Sequence, residues 1–198
     1  MINRRDNLLD KHRISLLLAS CAGTGTTRGT EADSRPNEGT YEEGDIAVEV
    51  GNFFGEGAEG IADVLNKVFA DQGRPNGYIK GEEAGGALVV GVRYGKGTLH
   101  LKNGEIRDVY WRGPSIGFDV GGNAAKAFVL VYELPNVKSA FQRFPGVDGS
   151  LYFIGGVGVN YNRAGSIVLA PIRFGVGWRQ GINIGYMHLS PEKSWIPF

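Results

Sequence analysis

Thirty-two of the 198 residues are glycine, and most of them sit inside apolar stretches such as Phe153–Asn160 (FIGGVGVN) instead of gathering in one block. That is about 16% of the chain against a background of roughly 7%. Glycine in a strand interior loses conformational entropy on folding and offers nothing to pack, so it needs a structural reason. Close approach of two backbones, or the crowded interior of a small barrel, supplies one. The glycines follow no collagen period. Apolar residues make up 42% of the chain, which suits a single globular domain with a real core.

The pattern along the chain names the class. Ala58, Ile61, Ala62, Leu65, Val68 and Phe69 recur at helical spacing, with Asp63 and Lys67 four apart on the other face and Gly73 as a stop. This predicts an amphipathic helix over about 57–71. The preceding run, Ile46, Val48, Val50, Phe53 and Phe54, fits helix or strand. From Gly77 the period changes to two. Residues 87–94, 97–102, 106–111, 115–120, 127–132, 151–161, 166–174, 175–179 and 181–189 form short apolar or alternating runs separated by turn signals. Lys102–Glu105 (KNGE) is an Asn-Gly hairpin turn. Residues 135–144 interrupt the strands as a short helix. The expected fold is α+β and mainly antiparallel β. It is a small, glycine-rich, closed or nearly closed β-barrel with one main N-terminal helix and a short helix between strands. A membrane-spanning barrel ending in Trp195–Phe198 is disfavoured by short strands and by Pro191 and Pro197.

The only cysteine sets the expected address. Residues 1–13 carry four basic groups, Ile14–Ser20 is mostly apolar, and Leu18-Ala19-Ser20-Cys21 has the form of a lipobox. A thiol there accepts a diacylglycerol, and small neighbours admit the signal peptidase. The expected layout is a signal peptide over 1–20, a lipidated N-terminus and flexible tether over 21–42, and a folded domain over 43–198. Ala22 is not the aspartate that retains lipoproteins in the inner membrane, so the outer membrane is expected. A plain cleaved signal with Cys21 incidental is the alternative, since the apolar run is short. No later run reaches the ~18 apolar residues of a spanning helix, so a lipid is the only expected membrane contact.

Charge and titratable residues exclude more than they select. Acidic and basic residues number 21 each, without the basic excess of a nucleic-acid binder. Beyond Cys21 no thiol remains for a disulfide, a nucleophile or a thiolate metal site. His100 and His188 stand alone in strands, without triad or zinc partners. Gly23–Arg28 (GTGTTR) lacks the strand, helix and third glycine of a dinucleotide site. The acidic residues Glu42, Glu43, Asp45, Glu49, Glu56 and Glu59 suit a solvated helix face, not a calcium loop. Glu82 and Glu83 are adjacent, so in a strand they would face opposite ways, and a turn is expected there. Neither cofactor nor metal is expected. What remains is an aromatic and basic set: Tyr110, Trp111, Arg112 and Pro114, with Tyr132, Trp178, Arg179 and Trp195. Rings beside guanidinium groups can hold a sugar, a lipid headgroup or a peptide, or they simply pack the core and rim.

Several long strings carry a resemblance. They are Gly51–Gly55 (GNFFG), Pro75–Glu83 (PNGYIKGEE), Val90–Leu99 (VGVRYGKGTL), Val109–Asp119 (VYWRGPSIGFD), Phe144–Gly149 (FPGVDG), Val168–Arg173 (VLAPIR) and Trp195–Phe198 (WIPF). Over about 41–198 the chain resembles the EipA-type cell-envelope integrity family of alphaproteobacteria. The resemblance implies a periplasmic protein that supports envelope integrity and has no assigned enzymatic activity. It also implies a small β-barrel distantly similar to SYLF-type domains, and a link to surface polysaccharide. It supplies no functional residue set. The expectation is therefore a non-catalytic protein that binds a lipid, polysaccharide or outer-membrane partner through Tyr110, Trp111, Arg112, Tyr132, Trp178 and Arg179. An enzyme acting on envelope glycan or lipid, and a structural partner of an outer-membrane complex, are the alternatives.

Overall fold

Alternating side chains at Val109–Gly113 and Tyr186–Ser190 can satisfy a sheet with one buried and one wetter face, whereas Phe128–Tyr132 and Ile167–Ile172 need cover on both. The computed structural model, which describes residues 39–55, 60–119, 125–174 and 185–194, meets both demands with one sheet. Two helices, α1 (Glu43–Phe54) and α2 (Ile61–Gln72), precede nine described strands. These are β1 (Gly77–Leu101), β2 (Ile106–Asp119), β3 (Ala125–Tyr132), β4 (Arg143–Pro145), β5 (Tyr152–Ile154), β6 (Val157–Val159), β7 (Asn162–Ala164), β8 (Ile167–Phe174) and β9 (Tyr186–Ser190). Every described pairing is antiparallel, in the order β4-β9-β2-β1-β3-β8-β6-β5, with β7 also on β8.

The sheet curls until its ends nearly meet. An isolated bridge, Gly146 to Asn162, joins the run beyond β4 to β7. Val147 N donates to Tyr161 O at 2.9 Å, and Asn162 Nδ2 to Phe144 O at 3.2 Å. The expected nearly closed, glycine-rich antiparallel barrel is therefore the observed one. Its interior is an apolar cluster that includes Ile79, Leu99, Trp111, Val129, Phe144, Leu169 and Met187. The helices cover a second cluster on the outer face of β1, β3 and β8, built on Tyr78, Phe128, Leu130, Tyr132, Val168 and Ile172.

The strand β1 is the organising element. Its first limb, 77–83, pairs with β3, and its second, 87–100, pairs with β2. The limbs pack against each other at two glycines. A Cβ on Gly81 would stand 2.7 Å from the Gly97 Cα, and one on Gly97 would stand 2.9 Å from the Gly81 Cα. Only hydrogen fits there, which is the structural reason the glycine content demanded.

Several sequence expectations shift in detail. The segment ambiguous between helix and strand is helix α1, so two helices precede the sheet. Helix α2 starts at Ile61, after Gly60 in the left-handed region, and residues 56–59 lie outside the described set. Lys67 pairs with Asp71 at 2.5 Å, not with Asp63. Runs 87–94 and 97–102 belong to one strand, which also contains Glu82 and Glu83 where a turn was expected. The 135–144 helix shrinks to one 3-10 turn, Val137–Ala140, capped by the Asn136 side chain. Residues 151–161 are a hairpin, because Gly155 and Gly156 take positive φ. The strand expected at 175–179 lies outside the described residues, as do 1–38.

Helix α1 shows which forces hold the cover in place. It fully buries only Ile46 and Val50, with Phe53 and Phe54 packed alongside. Acidic residues of the helix and its N-cap meet cations of β1 and its flanking turns: Glu49 with Lys80 at 2.8 Å, Asp45 with Lys102 at 3.2 Å, and the N-cap Glu42 with Arg74 at 2.5 Å. Burying an aliphatic side chain contributes about 1.5–3 kcal/mol, whereas an exposed ion pair contributes about 0–1 kcal/mol. The apolar stripe carries the docking, and the charges fix its register.

Candidate functional site

Outside the helices' cover, the outer face of the sheet is polar and basic. Antiparallel pairing sets side chains of opposed residues on the same face. Tyr94 opposes Arg112, Arg112 opposes His188, and His188 opposes Arg143. One register row therefore runs Tyr94–Arg112–His188–Arg143 across β1, β2, β9 and β4. A second row, Lys96–Tyr110–Ser190, lies beside it. The inward residues between them, Val109, Trp111, Met187 and Leu189, are buried.

These rows end in a cleft of about 390 Å³ between the limbs of β1. Glu82–Ala84 form one wall and Tyr94–Lys96 the other. Tyr110, Trp111, Arg112, Ser190, Lys193 and Ser194 complete the lining. The volume lies in the range of small-molecule sites, about 300–1,000 Å³. A second hollow of the same size, shared at Glu82, Lys96 and Tyr110, continues past Thr98 and Asp108 to Phe53. Among the described residues, no carboxylate pairs with Lys96, Arg112 or Arg143. Arg112 Nε and His188 Nδ1 are shielded from solvent without a hydrogen-bond partner.

The floor is built from opposite materials. Trp111 lies against Gly95, where any Cβ would overlap the indole ring. Its Nε1 donates to Glu83 Oε2 at 3.3 Å. Glu83, only 5% exposed, also accepts from Arg173 Nε at 2.5 Å and from Arg173 Nη2 at 3.3 Å. Arg93 Nη1 stands 3.3 Å from Glu83 Oε1. Arg173 Nη1 donates to Asn160 Oδ1 at 3.0 Å, and Asn160 Nδ2 to Asn162 Oδ1 at 3.0 Å. Burial pushes the Glu83 carboxyl up, but the Arg173 and Arg93 charges and the Arg173 and Trp111 hydrogen bonds outweigh it and hold the group below the usual carboxylate range. It is a fixed anion, committed to its partners.

The histidines lie apart. Burial, then Arg112 and Arg143, pull His188 down. Burial and Lys80 pull His100 down against an opposing effect of Glu49, and its ring stacks on Tyr78 with centroids 5.0 Å apart. Among the described residues no group of three His, Cys, Asp or Glu side chains could hold a metal ion.

Of the residues singled out from sequence, the fold brings Tyr110, Trp111 and Arg112 to the cleft. Trp111 sits at the floor with its ring turned into the barrel, while Tyr110 and Arg112 point outward. Tyr132 is corrected. It is buried on the helix-covered face with Phe128 and Leu130, because residues two apart share a face, and it cannot join the surface set. Burial and the nearby Tyr161 and Asp71 raise its hydroxyl well above the ordinary tyrosine range. Cys21, Trp178, Arg179 and Trp195 lie outside the described residues. Sequence reasoning missed Tyr94 and Lys96, whose alternation along β1 was the available signal, and the Glu83 cluster, whose partners are distant in sequence.

The comparisons agree with this architecture. The family model described as envelope integrity protein A matches residues 39–198. A crystal structure of a β-barrel-like, uncharacterised protein from Brucella abortus is 44% identical, with a TM-score of 0.74, covering 81% of this chain and 99% of that one. No curated protein matches. No helix among the described residues is long and apolar enough to cross a membrane.

Proposed function

This chain belongs to the envelope integrity protein A family, and we propose that it serves the cell envelope as a non-catalytic binding protein of the periplasm. It holds an envelope glycan or lipid headgroup in the cleft between the limbs of β1. One observation carries the reading: aromatic side chains converge on a cavity of ligand size with Lys96 and Arg112, which have no carboxylate partner among the described residues. Rings of Tyr94 and Tyr110 offer apolar faces, and Lys96 and Arg112 offer charge, the combination that binds sugars and headgroups. A binding role suits the floor better than catalysis does. A general acid or base needs a proton to exchange near neutral pH, and Glu83 is kept ionised by two guanidinium groups.

The periplasmic address rests on the signal peptide over 1–20. Cys21, at the end of the Leu18–Cys21 motif, tethers the domain to the outer membrane by its acyl chains. Metabolic labelling with a fatty-acid probe should mark the wild type and not Cys21→Ser. Labelling of neither leaves a soluble periplasmic protein.

The cleft itself is tested in cells lacking the gene. Such cells should be sensitised to detergents and cell-wall antibiotics, and wild-type protein should restore resistance. Tyr110→Ala and Arg112→Gln, both at outward-facing positions, should fold normally and fail to restore it. Full restoration by both variants would overturn the cleft as the working site.

A further inference from the structure

The cleft continues onto an open face, and that continuation has a chemistry of its own. Beyond Arg112 the register row crosses to His188 on β9 and Arg143 on β4. Three inter-strand spacings separate Tyr94 from Arg143, about 14 Å. The backbone positions of Arg112 and Arg143 are two spacings apart, about 10 Å. Rings mark both ends of the row: Tyr94 opens it, and Arg143 lies 4.3 Å from the centroid of Tyr186. Neither arginine has a carboxylate partner among the described residues. Arg112 Nε and His188 Nδ1, on neighbouring residues of the row, are both shielded and unsatisfied. The row therefore carries cationic and polar groups whose partners the described residues do not supply.

We infer that the ligand is an acidic glycan strand, which enters the cleft at Tyr94 and Tyr110 and lays its carboxylate or phosphate groups along Arg112, His188 and Arg143. This rests on the reading of the cleft as a binding site. A lipid headgroup concentrates its anion at one point, whereas this row spaces ring, cation, histidine and cation over four strands. Sugar rings alternating with anions match that spacing. Guanidinium groups suit either oxyanion through paired N–H donors.

The histidine adds a sign. His188 faces Arg112 from β2 and Arg143 from β4, with Tyr186 and Ser190 flanking it on β9. Burial and the two cations keep it neutral near pH 7 in the free protein. An oxyanion bound between the arginines reverses their repulsion and favours the imidazolium, so binding takes up a proton and tightens as pH falls.

Calorimetric titration of the purified full chain at about 0.15 M salt, where long-range charge effects are screened, tests this. The probes are an oligogalacturonate with one carboxylate per ring, a neutral dextran oligosaccharide of equal length, and phosphatidylglycerol vesicles. The acidic oligosaccharide should bind at least about tenfold more tightly than the neutral one, a factor one charge-assisted contact can supply. Arg143→Gln, which lies outside the cleft, should weaken the acidic probe by about tenfold and leave the neutral one unchanged. The exposed Lys138→Gln should change neither. Tightening between about pH 7.5 and about pH 5.5, across the ordinary histidine range, should vanish in His188→Gln. Equal binding of both oligosaccharides, or equal loss in Lys138→Gln and Arg143→Gln, overturns the anion row while sparing the cleft. Binding of vesicles that Arg112→Gln abolishes, with neither oligosaccharide bound, overturns the glycan assignment, whereas vesicle binding that Arg112→Gln leaves intact belongs to the Cys21 anchor and counts as no binding in the cleft. Binding of no probe overturns the cleft reading together with this one.

Discussion

The two halves of this sheet solve opposite problems. Under the helices, β3 and β8 are apolar on both faces, with Phe128, Leu130, Val168 and Ile172 outward and Val129, Val131 and Leu169 inward. Across the barrel, β2 and β9 bury Val109, Trp111, Met187 and Leu189 and leave the other face to Tyr110, Arg112, His188 and Ser190. The first half is core twice over and has no surface left for recognition. The second half keeps an uncovered face, and on it stand Lys96, Arg112 and Arg143, which have no carboxylate partner among the described residues. On the proposed binding role, stability and recognition fall to different strands, and mutations should separate them.

The largest effect belongs to the group that ties the halves together. Glu83 on the first limb of β1 holds Arg173 of β8 and Arg93 of the second limb. Glu83→Ala should lower unfolding free energy by about 3–5 kcal/mol, as removal of one partner leaves buried charge uncompensated. Urea denaturation measures it, and a loss below about 1 kcal/mol would mean that the halves are held by packing alone. The same group sets an acid limit. Its folded pKa is depressed, so its contribution is complete above the ordinary carboxylate value of about 4.3 and fades as pH falls through the lower folded value. Stability of the wild type should therefore drop in that window more steeply than that of Glu83→Gln.

Next comes the helix-covered face. Leu130→Ala should cost about 2–5 kcal/mol through lost burial and a cavity, with the urea midpoint shifted and the slope kept. Tyr161→Phe should cost about 1 kcal/mol, since its hydroxyl donates to Asp71 Oδ2 at 2.8 Å and pins α2 to the sheet. The smallest stability changes belong to the free face. Tyr110→Ala and Arg112→Gln should stay within about 0.5 kcal/mol of wild type while abolishing ligand binding. A thermal melt beside a binding titration reads both.

The two halves also differed in how much the sequence disclosed. On the free half, Tyr110 and Arg112 entered as members of an aromatic and basic set together with Trp111, and the alternation of Val109–Arg112 then turns Trp111 inward and leaves the other two outside. On the covered half, the continuous run Phe128–Tyr132 announced a strand without saying which residues faced the helices. Tyr132 was therefore assigned to the wrong surface. Ile46, Val48 and Val50 alternate like a strand, yet helix α1 forms and leaves Val48 62% exposed. Its register depends on Lys80, Lys102 and Arg74, partners that only the folded chain brings near. Glu83 was hidden for the same reason. Its neighbour Glu82 suggested a turn, and Arg173 stands 90 positions away.

The crossing of Gly81 and Gly97 has a consequence for affinity. The walls of the cleft meet backbone against backbone, so no rotamer can turn there to widen or narrow the gap. The ligand proposed for this cleft would find its seat already made and spend little free energy on rearranging it. Selectivity between ligands becomes a matter of fit to a fixed gauge, and that gauge is set by two side chains the protein does without.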